Sequence, residues 1–202
     1  MFNKKSVAFF ESQFQRQVRD QEHALNPFEI LALDYVRGSV LDLGCGLGNF
    51  SLEAGRRGHH VVAIDASSTA VARINKDVKL EELPVRGIQA DVESWSIAES
   101  YDTIVAIGLL MFFRHETALK LLTAIQDHVK RGGRAIVNVL IEGTTYLEIF
   151  DPDSYCLFRR NELEERFDGW TIFESRTQTF PAPQGTRKDF STLIAEKLSQ
   201  KN

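Results

Sequence analysis

Val40-Leu41-Asp42-Leu43-Gly44-Cys45-Gly46-Leu47-Gly48 reads as a short apolar strand with one acid, followed by a loop with glycine at every second position. The segment before Val40 is patterned as helix, and Asn49-Phe50-Ser51-Leu52-Glu53-Ala54 returns to helix. A strand, a glycine loop and a helix in succession bring backbone N–H groups and bare Cα atoms against a nucleotide-like ligand. Glycine suits that loop because a Cβ would block a close-lying ligand and because the turn needs unusual backbone angles.

The spacing narrows the ligand. A dinucleotide fingerprint wants a third small residue at position 49, but Asn49 stands there and the spacing is G-x-G-x-G. Asp42, two residues before Gly44, directs an anionic side chain toward the loop. That repels a pyrophosphate and suits a ligand bearing an ammonium and a sulfonium. An ordinary glycine turn in an α/β protein is the plainer alternative.

Outward from the loop, Val61-Val62-Ala63-Ile64-Asp65 is apolar until its last residue, as a strand buried on both faces should be. A carboxylate at that strand end can accept both ribose hydroxyls. Asp65 could instead cap the next helix, although Ser67 and Ser68 can do so themselves. A third strand, Val85 to Ala90, ends in Asp91-Val92, and a fourth runs from Tyr101 to Ile107. Asp42, Asp65 and Asp91 therefore close three successive strands on the carboxyl edge, where ligands bind in such sheets. The apolar tail Gly108 to His115 either lines a pocket or belongs to the core. The helix Glu116–Val129 has its stripe at Ala118, Leu121, Leu122, Ile125 and Val129. Lys130-Arg131-Gly132-Gly133 should end it with cations and a glycine cap, before a fifth strand, Arg134 to Leu140.

Val7, Phe10, Phe14 and Val18 fall at helical spacing. Residues 1–37 are thus expected to form a helical cap over a ligand mouth, or helices merely packed on the sheet. Arg16 and Arg19 on the first helix could meet a ligand carboxylate. Residues 142–169 hold no central strand but many aromatics, and such a long irregular stretch reads as a substrate-side lid. Trp170 to Thr177 and Phe190 to Lys197 read as strands, and the connector Pro181 to Thr186 is too short for a crossover helix, so they should pair antiparallel. The expected fold is α/β and Rossmann-like: a mostly parallel seven-stranded sheet with a C-terminal antiparallel hairpin and helices on both faces. All 202 residues are expected to form one domain.

Composition narrows the partners. No apolar run approaches the ~18 residues of a membrane span, and Glu11 cuts short the apolar start, which argues against a signal peptide and for a cytoplasmic protein. Cys45 and Cys156 imply no disulfide framework. His59 and His60 lack a second pair at metal-ligand spacing, so no metal is expected. The formal charge is −4 and basic residues come as scattered pairs, which disfavours nucleic acid.

The segments Leu41 to Gly46, Tyr101-Asp102 with Leu110-Met111-Phe112, Lys130 to Gly133, Asn161-Glu162-Leu163 and Gly169-Trp170 resemble class I S-adenosylmethionine (SAM)-dependent methyltransferases. Within them, the resemblance is to the TehB-type branch associated with tellurite resistance. It implies methyl transfer from SAM to a small-molecule or oxyanion acceptor. It also implies a cofactor site at Asp42, Gly44, Cys45, Gly46, Gly48, Asp65, Ala66, Asp91, Val92, Ile107 and Met111, with Asp91 accepting the adenine amino hydrogen. The substrate side is expected at Phe112, Tyr146, Phe158 and Arg176. No catalytic residue stands out, and His115 is the one candidate base. Two other readings stay open: a SAM-binding protein without catalysis, and an NAD(P)-dependent oxidoreductase, which Asn49 and Asp42 disfavour.

Overall fold

A computed structural model describes residues 4–199 of the chain. Seven strands form one sheet: β1 (Val40–Leu43), β2 (Val61–Asp65), β3 (Val85–Gln89), β4 (Tyr101–Ile107), β5 (Val129–Leu140), β6 (Thr171–Pro181) and β7 (Arg187–Glu196). Their order is β3-β2-β1-β4-β5-β7-β6. β1 pairs in parallel with β2 and β4, β2 with β3, and β4 with β5, whereas β7 runs antiparallel to both β5 and β6.

Helices cover both faces because the central strands are apolar on both sides. On one face α2 (Pro27–Leu33), α3 (Asn49–Arg56) and α4 (Ser68–Glu81) bury Ala32, Phe50, Leu52 and Ile74 against Val40, Ala63, Val105 and Ile136. On the other, α5 (His115–His128) and α6 (Glu162–Arg166) bury Leu122, Ile125 and Leu163 against Leu41, Ile104, Val137 and Val139. α1 (Lys4–Asp20) lies outside these layers and packs chiefly on α4. α2 starts with a capping box: Asn26 Oδ1 accepts from Phe28 N and Glu29 N, and Glu29 Oε2 accepts from Asn26 N.

The boundary between α5 and β5 differs from the expected one. The helix ends at His128, and Val129 already pairs with Tyr101 as the first residue of β5. Gly132 and Gly133 do not cap the helix. Gly132, at φ 72°, sits in the irregularity before Arg134 and donates its N–H to Lys197 O, while Gly133 O accepts from Lys197 N. Lys130 bonds Asp102 Oδ2 at 2.9 Å, and that same oxygen accepts from Ser39 N at 2.8 Å and Ser39 Oγ at 2.7 Å. Val129 pairs with Tyr101 and the main chain of Gly132 and Gly133 bonds Lys197, so tertiary partners take backbone groups that a cap would have satisfied. The hairpin is also longer than expected, with β6 reaching Pro181 and β7 starting at Arg187. Pro181 is tolerated because β6 is an edge strand.

Candidate active site

At the carboxyl ends of β1 to β4 lies a cavity of about 760 Å³, its open mouth included. Gly44 and Gly46 form its floor, with φ of 68° and 52°. Gly44 N and Cys45 N both donate to Ile64 O, at 2.8 and 3.0 Å, which folds the loop back onto β2. Arg73 holds the loop from behind, donating to Leu47 O at 2.7 Å and Asn49 Oδ1 at 2.6 Å.

The next two strand ends supply the polar wall: Asp65, Ala66 and Ser67 after β2, Asp91 and Val92 after β3. Asp65 is held by the backbone, with Oδ2 accepting from Gly46 N and Oδ1 from Ser67 N, both at 2.8 Å. A carboxylate offers about four acceptor sites, so lone pairs remain on each oxygen. Burial pushes the Asp65 carboxyl above its ordinary pKa, opposed by those two N–H groups and reinforced by the Glu11 charge.

The roof is α1. Val7, Phe10 and Phe14 line the cavity from above at the helical period read in the sequence, with Ser6 beside them. A Cβ on Gly46 would lie 3.3 Å from Phe14 Cζ. On the same helix Glu11 accepts from the Ser67 and Thr69 hydroxyls at the start of α4. Burial pushes the Glu11 carboxyl up, but hydrogen bonds from Ser67, Thr69 and Gln15 outweigh it and hold the group below its ordinary value. At the other end of α1, Lys5 Nζ donates to Phe150 O at 3.0 Å. Phe10 meets Phe112 edge-on at 5.2 Å, and Phe112 meets Phe150 at 5.0 Å.

Gly108, Leu109, Phe112 and Phe113, on and beside the 3-10 turn Leu110–Phe112, close the remaining side. Of the residues expected in the cofactor site, the cavity thus brings together Gly44, Gly46, Asp65, Ala66, Asp91 and Val92. Five others lie off its wall. Asp42 is buried on the α3 side, where its Oδ2 accepts from Ser51 Oγ at 2.6 Å. Cys45 packs into the core beneath the loop, and burial raises its thiol well above the ordinary value. Gly48, at φ 75°, makes room for Ile74, whose Cγ1 would lie 2.4 Å from an added Cβ. Ile107 packs toward α2 and α3, and Met111 is buried with Leu140 and Phe150.

Only Phe112 of the expected substrate-side residues reaches the cavity. Phe158 is fully buried, pairing with Ile141. Tyr146 lies under the Lys188 ammonium at 4.7 Å. Arg176 is exposed on the edge strand and bonds Glu174 at 2.7 Å. His115 Nε2 bonds Glu162 Oε1 at 2.7 Å, a carboxylate whose other oxygen accepts from Arg159 N, and it does not line the cavity. Arg16 is exposed and Arg19 pairs with Asp20. Reading by residue missed Ser6, Ser67, Leu109 and Phe113. The Gly108 to His115 tail was the available signal for the last two.

A sequence profile for the methyltransferase domain family matches residues 40–133. The chain is 29% identical over 165 residues to the probable S-adenosyl-L-methionine-dependent methyltransferase TehB of Haemophilus influenzae, covering 78% of this chain and 57% of that protein. Its structure superposes on the crystal structure of TehB from Haemophilus influenzae with a TM-score of 0.74 at 24% identity, over 86% of this chain and 63% of that one. Residues 40–133 thus match a methyltransferase domain, and the chain around them is similar to TehB. It spans less than two thirds of the TehB chains it matches. It also superposes on the Burkholderia thailandensis 1,6-didemethyltoxoflavin-N1-methyltransferase, solved with 1,6-didemethyltoxoflavin and S-adenosylhomocysteine, at a TM-score of 0.69 and 21% identity, over 98% of this chain and 92% of that one.

The cofactor of such a domain is SAM, and the cavity fits it. Two bare Cα atoms form the floor, two carboxylates close the adjacent strand ends, and apolar side chains make up much of the remaining wall. Among the described residues no group of His, Cys, Asp or Glu could hold a metal ion.

Proposed function

We propose that the chain is a SAM-dependent methyltransferase acting on a small molecule. The observation that carries this reading is the convergence of the glycine loop, Asp65 and Asp91 on one cavity at the carboxyl edge of the sheet. When bound, SAM supplies an electrophilic methyl group on a sulfonium. Asp65, fixed by Gly46 N and Ser67 N, accepts the ribose hydroxyls with its remaining lone pairs. Asp91 accepts from the adenine amino group, and Val92 packs beside the ring. Gly44 and Gly46 let main chain approach the amino-acid portion. α1 and the turn after β4 then enclose the reacting end, where positioning and exclusion of water supply much of the rate.

Calorimetric titration with SAM, S-adenosylhomocysteine and NAD tests the reading. SAM and S-adenosylhomocysteine should bind and NAD should not. Asp65→Ala removes charge-assisted hydrogen bonds worth about 1.5–3 kcal/mol, so affinity should fall on the order of tenfold to a hundredfold. NAD binding, or SAM affinity indifferent to Asp65, would sink the proposal.

A further inference from the structure

The residue that departs from the dinucleotide spacing has a use of its own in the fold. Asn49 is the first residue of α3, directly after the glycine loop. Its Oδ1 accepts from Arg73 Nη1 at 2.6 Å, and its Nδ2 donates to Ala24 O at 3.0 Å. A guanidinium can only donate and a carbonyl can only accept, so these partners fix which way the amide points. They also fix the residue type. A carboxylate would serve Arg73 but not Ala24, and glycine or alanine would serve neither.

The two partners belong to opposite sides of the site. Arg73 Nη1 also donates to Leu47 O at 2.7 Å, so one guanidinium clamps Asn49 and the floor loop together. Asp77, one turn on in α4, holds Arg73 Nε at 3.3 Å. Ala24 lies in the linker between the roof helix α1 and α2. There α1 ends at Asp20, Gln21 turns the chain at φ 57°, and residues 21–24 are exposed. The chain returns to the core at Leu25, and Asn26 caps α2. The Asn49 bond therefore pins the root of the roof helix to the end of the floor loop. Asn49 itself does not line the cavity, so its effect on a ligand passes through these two partners.

We infer that Asn49 is a positioning residue that keeps the roof over the bound cofactor by tying the α1–α2 linker to the glycine loop. The inference rests on the methyltransferase reading above and adds to it how floor and roof are held in register. Glu11 ties the middle of α1 to Ser67 and Thr69, and Lys5 ties its far end to Phe150. Asn49 fixes the end from which the helix leaves. With that end released, Val7, Phe10 and Phe14 lose their fixed place above Gly44 and Gly46, and a ligand beneath them escapes sooner.

The test uses the full chain with S-adenosylhomocysteine and compares Asn49→Asp with Asn49→Ala. Asp keeps the acceptor for Arg73 and loses the donor to Ala24 O, whereas Ala loses both. Both variants should release S-adenosylhomocysteine faster than the wild type in stopped flow, by about threefold to tenfold, the range that loss of one neutral hydrogen bond spans. The increase in Asn49→Asp should persist in about 0.5 M salt, which screens the added charge. Amide hydrogen exchange along α1 should speed up in both. In urea Asn49→Asp should be the more stable variant, because its carboxylate lies in the first turn of α3 and on the Arg73 guanidinium. A purely structural role would therefore leave Asn49→Asp near the wild-type release rate. That result, or unchanged exchange along α1, would overturn this inference alone. Failure of the wild type to bind S-adenosylhomocysteine would overturn the reading beneath it as well.

Discussion

Asp42 shows how one residue can be prominent in a sequence and differently employed in the fold. It precedes the glycine loop as an acid aimed at a cationic ligand would, yet its side chain is buried between β1 and α3, bonded to Ser51. Burial, with the Glu29 and Asp65 charges adding and the Ser51 hydroxyl opposing, raises its pKa from 3.8 to about 7. Between those values the folded state holds a proton that the unfolded chain has released, so stability falls as pH rises through that window and stays lower above it. Asp42→Asn removes this titration, so its melting temperature should fall less than the wild type's between about pH 5 and pH 8. Equal falls in both proteins would mean that Asp42 is ionised when folded. Phe158 is the complementary case. It is aromatic and lies in the irregular segment, where the sequence reading expects a substrate-side residue, but it has no exposed surface. Phe158→Ala should cost about 3–5 kcal/mol in urea unfolding and leave SAM affinity of the folded protein unchanged. A loss of affinity without a loss of stability would place Phe158 in the site after all.

At the scale of elements, α1 closes the cavity with few attachments. It packs mainly on α4 and is tied by Glu11 to Ser67 and Thr69, and by Lys5 to Phe150. Segments held by few contacts are the ones that open first. We propose that this helix moves for ligand exchange. Glu11→Ala should raise the S-adenosylhomocysteine dissociation rate several-fold in stopped flow while changing global stability by only about 1 kcal/mol. An unchanged dissociation rate would show that α1 does not control exit. The helical spacing of Val7, Phe10 and Phe14 made this element readable from the chain. Its long-range ties could not be read, because Glu11 and Ser67 are distant in sequence. The turn after β4 was half readable. Its apolar character announced a wall, but its tight 3-10 geometry turns Met111 into the core and leaves Leu109 and Phe113 on the surface of the cavity.

Across the whole molecule, the sheet order sets the site because it places the ends of β3, β2, β1 and β4 side by side. That alignment depends on close approach of helices to the sheet. Gly55 in α3 packs so near β3 that an added Cβ would lie 2.4 Å from Val85 Cγ2. Val85 is buried and β-branched, with little freedom to swing away. Alanine improves helix propensity by about 1 kcal/mol, but the clash should dominate, giving Gly55→Ala a net loss of about 1–2 kcal/mol in urea unfolding. A neutral or stabilised variant would show that α3 can shift without disturbing β3.

The chain by itself determined the alternation of strand and helix, the glycine loop, the acids at the strand ends and the reversal of the last hairpin. Each is written in local periodicity or in the residues that end an element, and such signals act over a few positions. Only the tertiary structure decided which of those residues face the cavity. Asp65 and Asp91 line it whereas Asp42 is buried, because strands alternate their faces and α3 covers the one from which Asp42 projects. Only tertiary pairing, too, turned Lys130 to Gly133 from a helix stop into the start of β5. Val129 pairs with Tyr101 and the main chain of Gly132 and Gly133 bonds Lys197, which satisfies backbone groups that a helix cap would have satisfied locally.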